Sequence, residues 1–270
     1  MFNTIYRLAG VRQFRTDIAD IDVEDKEMVT VRPLLLSICR ADERYYTGAR
    51  DAKILYERLP MALIHEAAGL VVRDPTGHFK AGDRVALIPT HAHGTDDYVS
   101  ANYLSTSTFR SSTEDGFAQE IVLMEPENLV LIPEAAYSNM NGFLEVVSVA
   151  VQSVRRLQEM SVTKNAVVGI WGDGNVAYIT AVTAKALLPN SKIVVFGKHE
   201  EKLGYIGFAD TYLIDDIPSG FRVDQAIEAV GGRGSEMAID QIIELIKPKG
   251  TVILSGVSEN PVLLNTRSVL

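Results

Sequence analysis

The chain has 270 residues, 47% hydrophobic and 23% charged, enough length and apolar content for about two folded domains and too much for wholesale disorder. Lys plus Arg total 26 against 35 Asp plus Glu, a formal charge of −9, which argues against a general nucleic-acid or anionic-membrane surface. Its one cysteine excludes an intramolecular disulfide and a four-cysteine zinc module. The segment Met1–Arg7 has no basic region leading into an apolar core, and no run approaches the ~20 apolar residues of a membrane span, so a cytoplasmic location is expected.

Short strands are predicted over 29–36, 69–73, 84–88, 117–123 and 128–132. Pro33 interrupts the first of them and implies an edge or a bulge. Turns fall at Asp74–Gly77 and Gly82-Asp83, and the polar stretch 90–116 reads as one long loop. A change of character follows. Apolar spacing predicts a helix over 143–159, then a strand over 166–171, a glycine turn, and a helix over 175–188 stopped by Pro189-Asn190. Further strands are predicted over 192–196, 211–214, 225–229 and 250–254, with a helix over 235–246 that ends at Lys247-Pro248. Alternating helices and continuously apolar strands imply an α/β domain with a parallel sheet covered on both faces. The expected division is a mostly β domain over 1–150 and a nucleotide-binding domain over 151–270.

The glycine turn is Gly172-Asp173-Gly174-Asn175-Val176-Ala177, between a predicted strand and a predicted helix. In G-x-G-x-x-[GA], the first glycine makes the turn and the second lets backbone approach a pyrophosphate. The small sixth residue lets helix and strand pack closely. The next strand ends Phe196-Gly197-Lys198-His199, without the carboxylate that usually holds the ribose hydroxyls of NAD. Lys198 is thus a candidate for a 2′-phosphate, which favours NADP; an exposed lysine at a strand end is also ordinary. Cys39 and His65 are chemically suited to zinc, although a lone cysteine is often just a small packed residue and a lone histidine a hydrogen-bonded core residue. His91 and His93 alternate on the long loop, a spacing that does not make side chains converge.

Several segments together resemble the medium-chain alcohol dehydrogenase family. Cys39 with Asp42 resembles its first zinc-ligand segment, His65-Glu66-Ala67-Ala68-Gly69 its H-E-x-x-G block, and Phe79–Val85 its F-K-x-G-D-R-V turn. Within the family, Arg44–Gly48, Phe109–Ser112, Gly169–Asn175 and Val230–Ser235 are similar to the ribulose-5-phosphate reductases of ribitol teichoic acid and capsule synthesis. The resemblance implies a GroES-like catalytic domain joined to a Rossmann domain. It implies NADPH-dependent reduction of D-ribulose 5-phosphate to D-ribitol 5-phosphate, a product fed to a cytidylyltransferase that makes CDP-ribitol, by a homodimer or larger homo-oligomer.

The same resemblance supplies a third zinc ligand, Glu145, beside Cys39 and His65, with Glu66 adjoining the metal as a supporting group or transient ligand. The cofactor would lie on Gly172, Asp173, Gly174, Asn175, Val176, Ala177 and Lys198. Arg44, Arg50, Arg110, Ser111 and Ser112 are the candidates for the substrate phosphate. Ala41 stands where many members have a relay hydroxyl, so Glu66, metal-bound water or Tyr45 would bring the proton. Family members continue beyond the equivalent of Val269-Leu270 with another Rossmann strand, so the chain is expected to be truncated at its C-terminus. Alternatives are another zinc polyol dehydrogenase, a metal-free NADPH quinone or enone reductase, and a non-catalytic nucleotide-binding protein.

Overall fold

A computed structural model describes residues 1–160, 165–258 and 261–269, so the terminal Leu270 lies outside the described residues. The chain divides into two units, Met1–Glu145 and Val146–Leu270.

The first unit is built on antiparallel strands. An amino-terminal hairpin, Phe2–Gly10 with Gln13–Asp20, joins Met61–Ala62 in a three-stranded sheet. No strand was expected in the hairpin, because most of Gln13–Asp20 is exposed and carries no apolar period. A five-stranded sheet runs in the order Leu129–Leu131, Arg84–Leu87, Glu66–Arg73, Val29–Ser37 and Val122–Met124. Its register shifts between Pro33 and Leu35, so the proline sits at a bulge, where its missing N–H costs the ladder nothing. Val29, Val31, Val71, Val85, Phe117 and Met124 are among the core residues beneath it.

Three expectations for this unit change. Of the predicted strand over 117–123 only Val122 and Leu123 fall in a strand, which is Val122–Met124. The N–H groups of Phe117 and Ala118 instead bind the carbonyls of Ile64 and Leu63 at 2.7 and 3.1 Å. The long loop holds a pair of two-residue strands, Thr90–His91 and Thr108–Phe109, and His91 Nε2 meets Glu125 Oε1 at 2.8 Å. Two short helices, Arg40–Thr47 and Ala52–Arg58, were also unforeseen. The first is capped by Cys39, and cysteine is not among the residues that ordinarily announce a helix start.

The second unit has the predicted five-stranded parallel sheet. Its order is Asp210–Leu213, Lys192–Gly197, Val167–Trp171, Val223–Glu228 and Ile246–Leu254. Alternate side chains serve opposite faces. Val168, Ile170, Val195 and Ile227 join a core with Ala177, Ala181 and Ala184 of the helix Asn175–Leu187. Trp171, Val194, Phe196 and Ala226 join another with Ala238 and Ile242 of the helix Ser235–Leu245. Both faces are thereby covered, as continuously apolar strands require. The last strand begins at Ile246, so Pro248 lies within it rather than after a helix; as an edge strand it tolerates the missing donor.

Candidate functional site

Antiparallel pairing brings Cys39 and His65 together. Ser37 pairs with Glu66, so the end of the strand Val29–Ser37 lies beside the start of Glu66–Arg73, with Cys39 just beyond one and His65 just before the other. Cys39 Sγ is 3.3 Å from His65 Nε2. The 3-10 turn Asn139–Phe143 packs on these two strands and leads into the helix Leu144–Met160, whose first turn carries Glu145. Ligand atoms of His65, Glu66 and Glu145 lie within 4.8 Å of one another, as do those of Cys39, Asp42 and His65. The two triads share His65, and the expected set Cys39, His65 and Glu145 draws on both.

Asp42 holds this arrangement from below. It is 2% exposed. Its Oδ1 accepts from the Ile64 N–H and from Ser111 Oγ, each at 3.0 Å, and its Oδ2 accepts from the Cys39 N–H at 3.1 Å. One carboxylate thus ties together the segments that carry Cys39 and His65. Ile64, next to His65, has φ of 76°, a left-handed conformation that β-branched residues rarely adopt. Asp42 on its N–H and the Phe117 N–H on its carbonyl lock it there, and the Phe109 ring packs 5.3 Å from that of His65.

The charges favour a cation. Burial, then the nearby Asp42 carboxylate, pushes the Cys39 thiol up to about 12, and burial, then Glu66 and Asp42, pushes Glu145 up to about 7. A divalent ion would reverse both effects by favouring the thiolate and the carboxylate. The donor set suits zinc: sulfur and imidazole nitrogen on one tetrahedral zinc stand roughly 3.5 Å apart, close to the spacing found here.

In the second unit Gly172 has φ of 134°, and a Cβ there would lie 2.9 Å from the Ala229 carbonyl oxygen and 3.1 Å from Ala177 Cβ. Gly174 caps the next helix without a side-chain bond, and a Cβ on it would meet nothing within 4 Å. Open space therefore faces a helix N-terminus, as a pyrophosphate requires. Val176 is half-buried and Ala177 fully buried under the helix. Asp173 Oδ2 accepts from the backbone N–H groups of Lys198 and His199 and meets His199 Nδ1, all at 2.8 Å. Burial pushes Asp173 up, but the bonds from His199 and Lys198 outweigh it and leave the carboxyl below its ordinary value. A carboxylate therefore does reach the strand tip, contributed by the glycine turn itself, while Lys198 is exposed and Lys202 Nζ lies 3.7 Å from Asp173 Oδ1.

The five phosphate candidates occupy two settings. Arg44 and Arg50 are half-buried on the segment after Cys39, with the Arg50 guanidinium 4.9 Å from the centre of the buried Tyr45 ring. Arg110 donates to the Asp115 and Leu123 carbonyls at 3.3 and 3.2 Å. Ser111 is buried against Asp42, and Ser112 is half-buried beside it. Asp42 and Phe109 were named in the sequence only through resemblance. Ile64 carried no signal, because an isoleucine does not announce a positive φ.

Residues 25–134 match the alcohol dehydrogenase GroES-like domain. The whole chain is 45% identical to ribulose-5-phosphate reductase 1 of Staphylococcus aureus and 45% identical to the ribulose-5-phosphate reductase of Bacillus spizizenii, spanning 79% of each. The chain belongs to the medium-chain alcohol dehydrogenase family. The crystal structure of S. aureus TarJ in complex with NADPH superposes over 100% of this chain and 77% of that one, with a TM-score of 0.86 and 40% identity. The antiparallel unit is therefore the GroES-like domain and the parallel sheet the Rossmann domain of this family.

Proposed function

We propose that the chain is a zinc- and NADPH-dependent ribulose-5-phosphate reductase, which converts D-ribulose 5-phosphate, NADPH and a proton to D-ribitol 5-phosphate and NADP⁺. The observation that carries this reading is the Cys39–His65 pair, 3.3 Å apart and backed by Glu66 and Glu145, in a chain 45% identical to reductases of that name. In this reading residues 1–150 form the catalytic domain and 151–270 the nucleotide-binding domain.

Cys39, His65 and Glu145 hold the zinc, and Glu66 stands beside them. When bound, zinc polarises the substrate carbonyl as a Lewis acid and NADPH supplies the hydride. The chain's own work is to orient the reactants and stabilise charge. Gly172, Gly174 and the N–H groups of Asn175, Val176 and Ala177 receive the pyrophosphate. Asp173 shapes the turn that presents Lys198 to the 2′-phosphate. Arg44, Arg50 and Ser112 bind the substrate phosphate, while Arg110 and Ser111 hold the segment that carries Ser112. A remote phosphate fixed in this way spends its binding energy on aligning the carbonyl, so its loss lowers kcat as well as affinity. With Ala41 in place of a relay hydroxyl, the proton comes from metal-bound water, Glu66 or Tyr45.

The TarJ structure holds NADPH, which supports that cofactor here. No helix of the described residues is long and apolar enough to cross a membrane. We place the reaction in the cytoplasm, where NADPH and a phosphorylated sugar are both at hand. The product is a phosphate monoester to which a cytidylyltransferase can transfer the CMP group of CTP, releasing pyrophosphate and giving the CDP-ribitol that teichoic acid or capsule synthesis requires. We read the working form as a homodimer or larger homo-oligomer. The site assignment is tested with His65→Ala. The expected outcome is loss of zinc by metal analysis and loss of turnover, with NADPH binding retained; full zinc content in the variant contradicts the assignment.

A further inference from the structure

The side chain of Glu228 is fully buried, at 0% exposed, at the end of the strand Val223–Glu228. Its Oε1 accepts from the Val230 and Gly231 N–H groups, both at 2.9 Å, and its Oε2 accepts from the Gly256 N–H at 3.1 Å. Its carbonyl accepts from Ser255 at 2.9 Å and from Gly256 at 3.0 Å. A Cβ on Gly256 would lie 2.4 Å from Oε2, so the second loop closes directly on the carboxylate. One acid thus pins together the loops that leave two neighbouring strands.

The position of these loops gives the clamp a use. All five strands run parallel, but the order in which the chain adds them to the sheet reverses between Val167–Trp171 and Val223–Glu228, and ligands of such sheets bind outside the carboxyl ends of the strands at that switch point. The glycine turn and Lys198 lie on the side of Lys192–Gly197. A dinucleotide whose pyrophosphate sits on the turn must place its other half over the ends of Val223–Glu228 and Ile246–Leu254. The loop after Glu228 also abuts the glycine turn, since the Ala229 N–H donates to the Trp171 carbonyl at 2.8 Å.

We propose that Glu228 is a positioning residue for the nicotinamide half of the cofactor, acting through the backbone of residues 229–231 and 255–257. The proposal rests on the dinucleotide-binding reading above. Glutamine at this position would turn an amide N–H toward backbone donors and leave at least one of them unmatched. The loops would then lose their fixed spacing while the adenosine side stays intact.

The test uses the 270-residue chain and its Glu228→Gln variant, with binding of 2′,5′-ADP and of NADPH measured by calorimetry. The adenosine-half probe should bind both proteins within about twofold, while the NADPH Kd rises at least about tenfold in the variant, as a lost bond to a charged group implies. Equal weakening of both probes, or no weakening of either, overturns the proposal. If Glu228→Gln does not fold, the same pair of measurements on Glu228→Asp decides with the same outcomes. Failure of both variants to fold also overturns it, since Glu228 would then serve folding alone. A parent chain that binds neither probe removes the dinucleotide reading itself.

Discussion

Asp42 accepts from three donors on three segments: the N–H groups of Cys39 and Ile64 and the hydroxyl of Ser111. Buried donors left without an acceptor cost about 1–3 kcal/mol each. Asp42→Ala should therefore lower stability by at least about 3 kcal/mol, read as a lower denaturant midpoint, and reduce zinc retention by releasing Ile64 and with it His65. A variant that keeps its stability and its zinc contradicts the tie described here. Glu145 makes a prediction in pH. Burial and the Glu66 and Asp42 charges raise it from 4.5 to about 7 in the metal-free chain, so the folded state holds this proton more tightly than the unfolded state. Its contribution to stability is full below about pH 4.5 and is lost as pH rises through about 7. In chelator-treated protein the thermal midpoint should fall across that window, and Glu145→Gln should flatten the fall. An unaltered slope in the variant contradicts the assigned environment.

The turn between Val167–Trp171 and Asn175–Leu187 shows how neighbouring glycines differ in purpose. Gly172 is held by backbone conformation and crowding, with φ of 134° and the Ala229 carbonyl 2.9 Å from where a Cβ would lie. Gly174 faces open space. Gly172→Ala should cost about 1–3 kcal/mol of stability. Gly174→Ala should change stability by about 1 kcal/mol or less, yet raise the NADPH Kd, because its methyl occupies the space meant for the pyrophosphate. Thermal unfolding and NADPH titration of both variants separate the two roles, and a Gly174→Ala protein that binds NADPH normally contradicts the second. This turn was legible in the sequence because its chemistry is local, set by strand, glycines and helix in direct succession. The clamp by Asp173 was not legible. Its partners, Lys198 and His199, lie a full strand later, and only parallel pairing brings them beside the turn.

The two domains differ in the same way over their whole length. The Rossmann half announces itself, because its three central strands, Val167–Trp171, Lys192–Gly197 and Val223–Glu228, are buried on both faces and the helices Asn175–Leu187 and Ser235–Leu245 each have an apolar face. The GroES-like half hides its hairpin and short helices, because exposed strands such as Gln13–Asp20 carry little pattern and the helix cap is the cysteine itself. Cys39 and His65 were suggestive by residue type, but their convergence depends on the register that pairs Ser37 with Glu66, which no local pattern encodes. Recognition of a sugar phosphate is less local still. A chain of net charge −9 repels anions at long range, so selectivity must come from placed side chains and not from the overall field. The most direct measurement follows NADPH oxidation by the zinc-loaded chain with D-ribulose 5-phosphate, with free ribulose, and with the phosphate substrate after chelation. Rapid oxidation is expected with the phosphate substrate, little with free ribulose, and none after chelation until zinc is restored. Equal rates with the two sugars, or turnover untouched by removal of zinc, would rule out a zinc-dependent sugar-phosphate reductase.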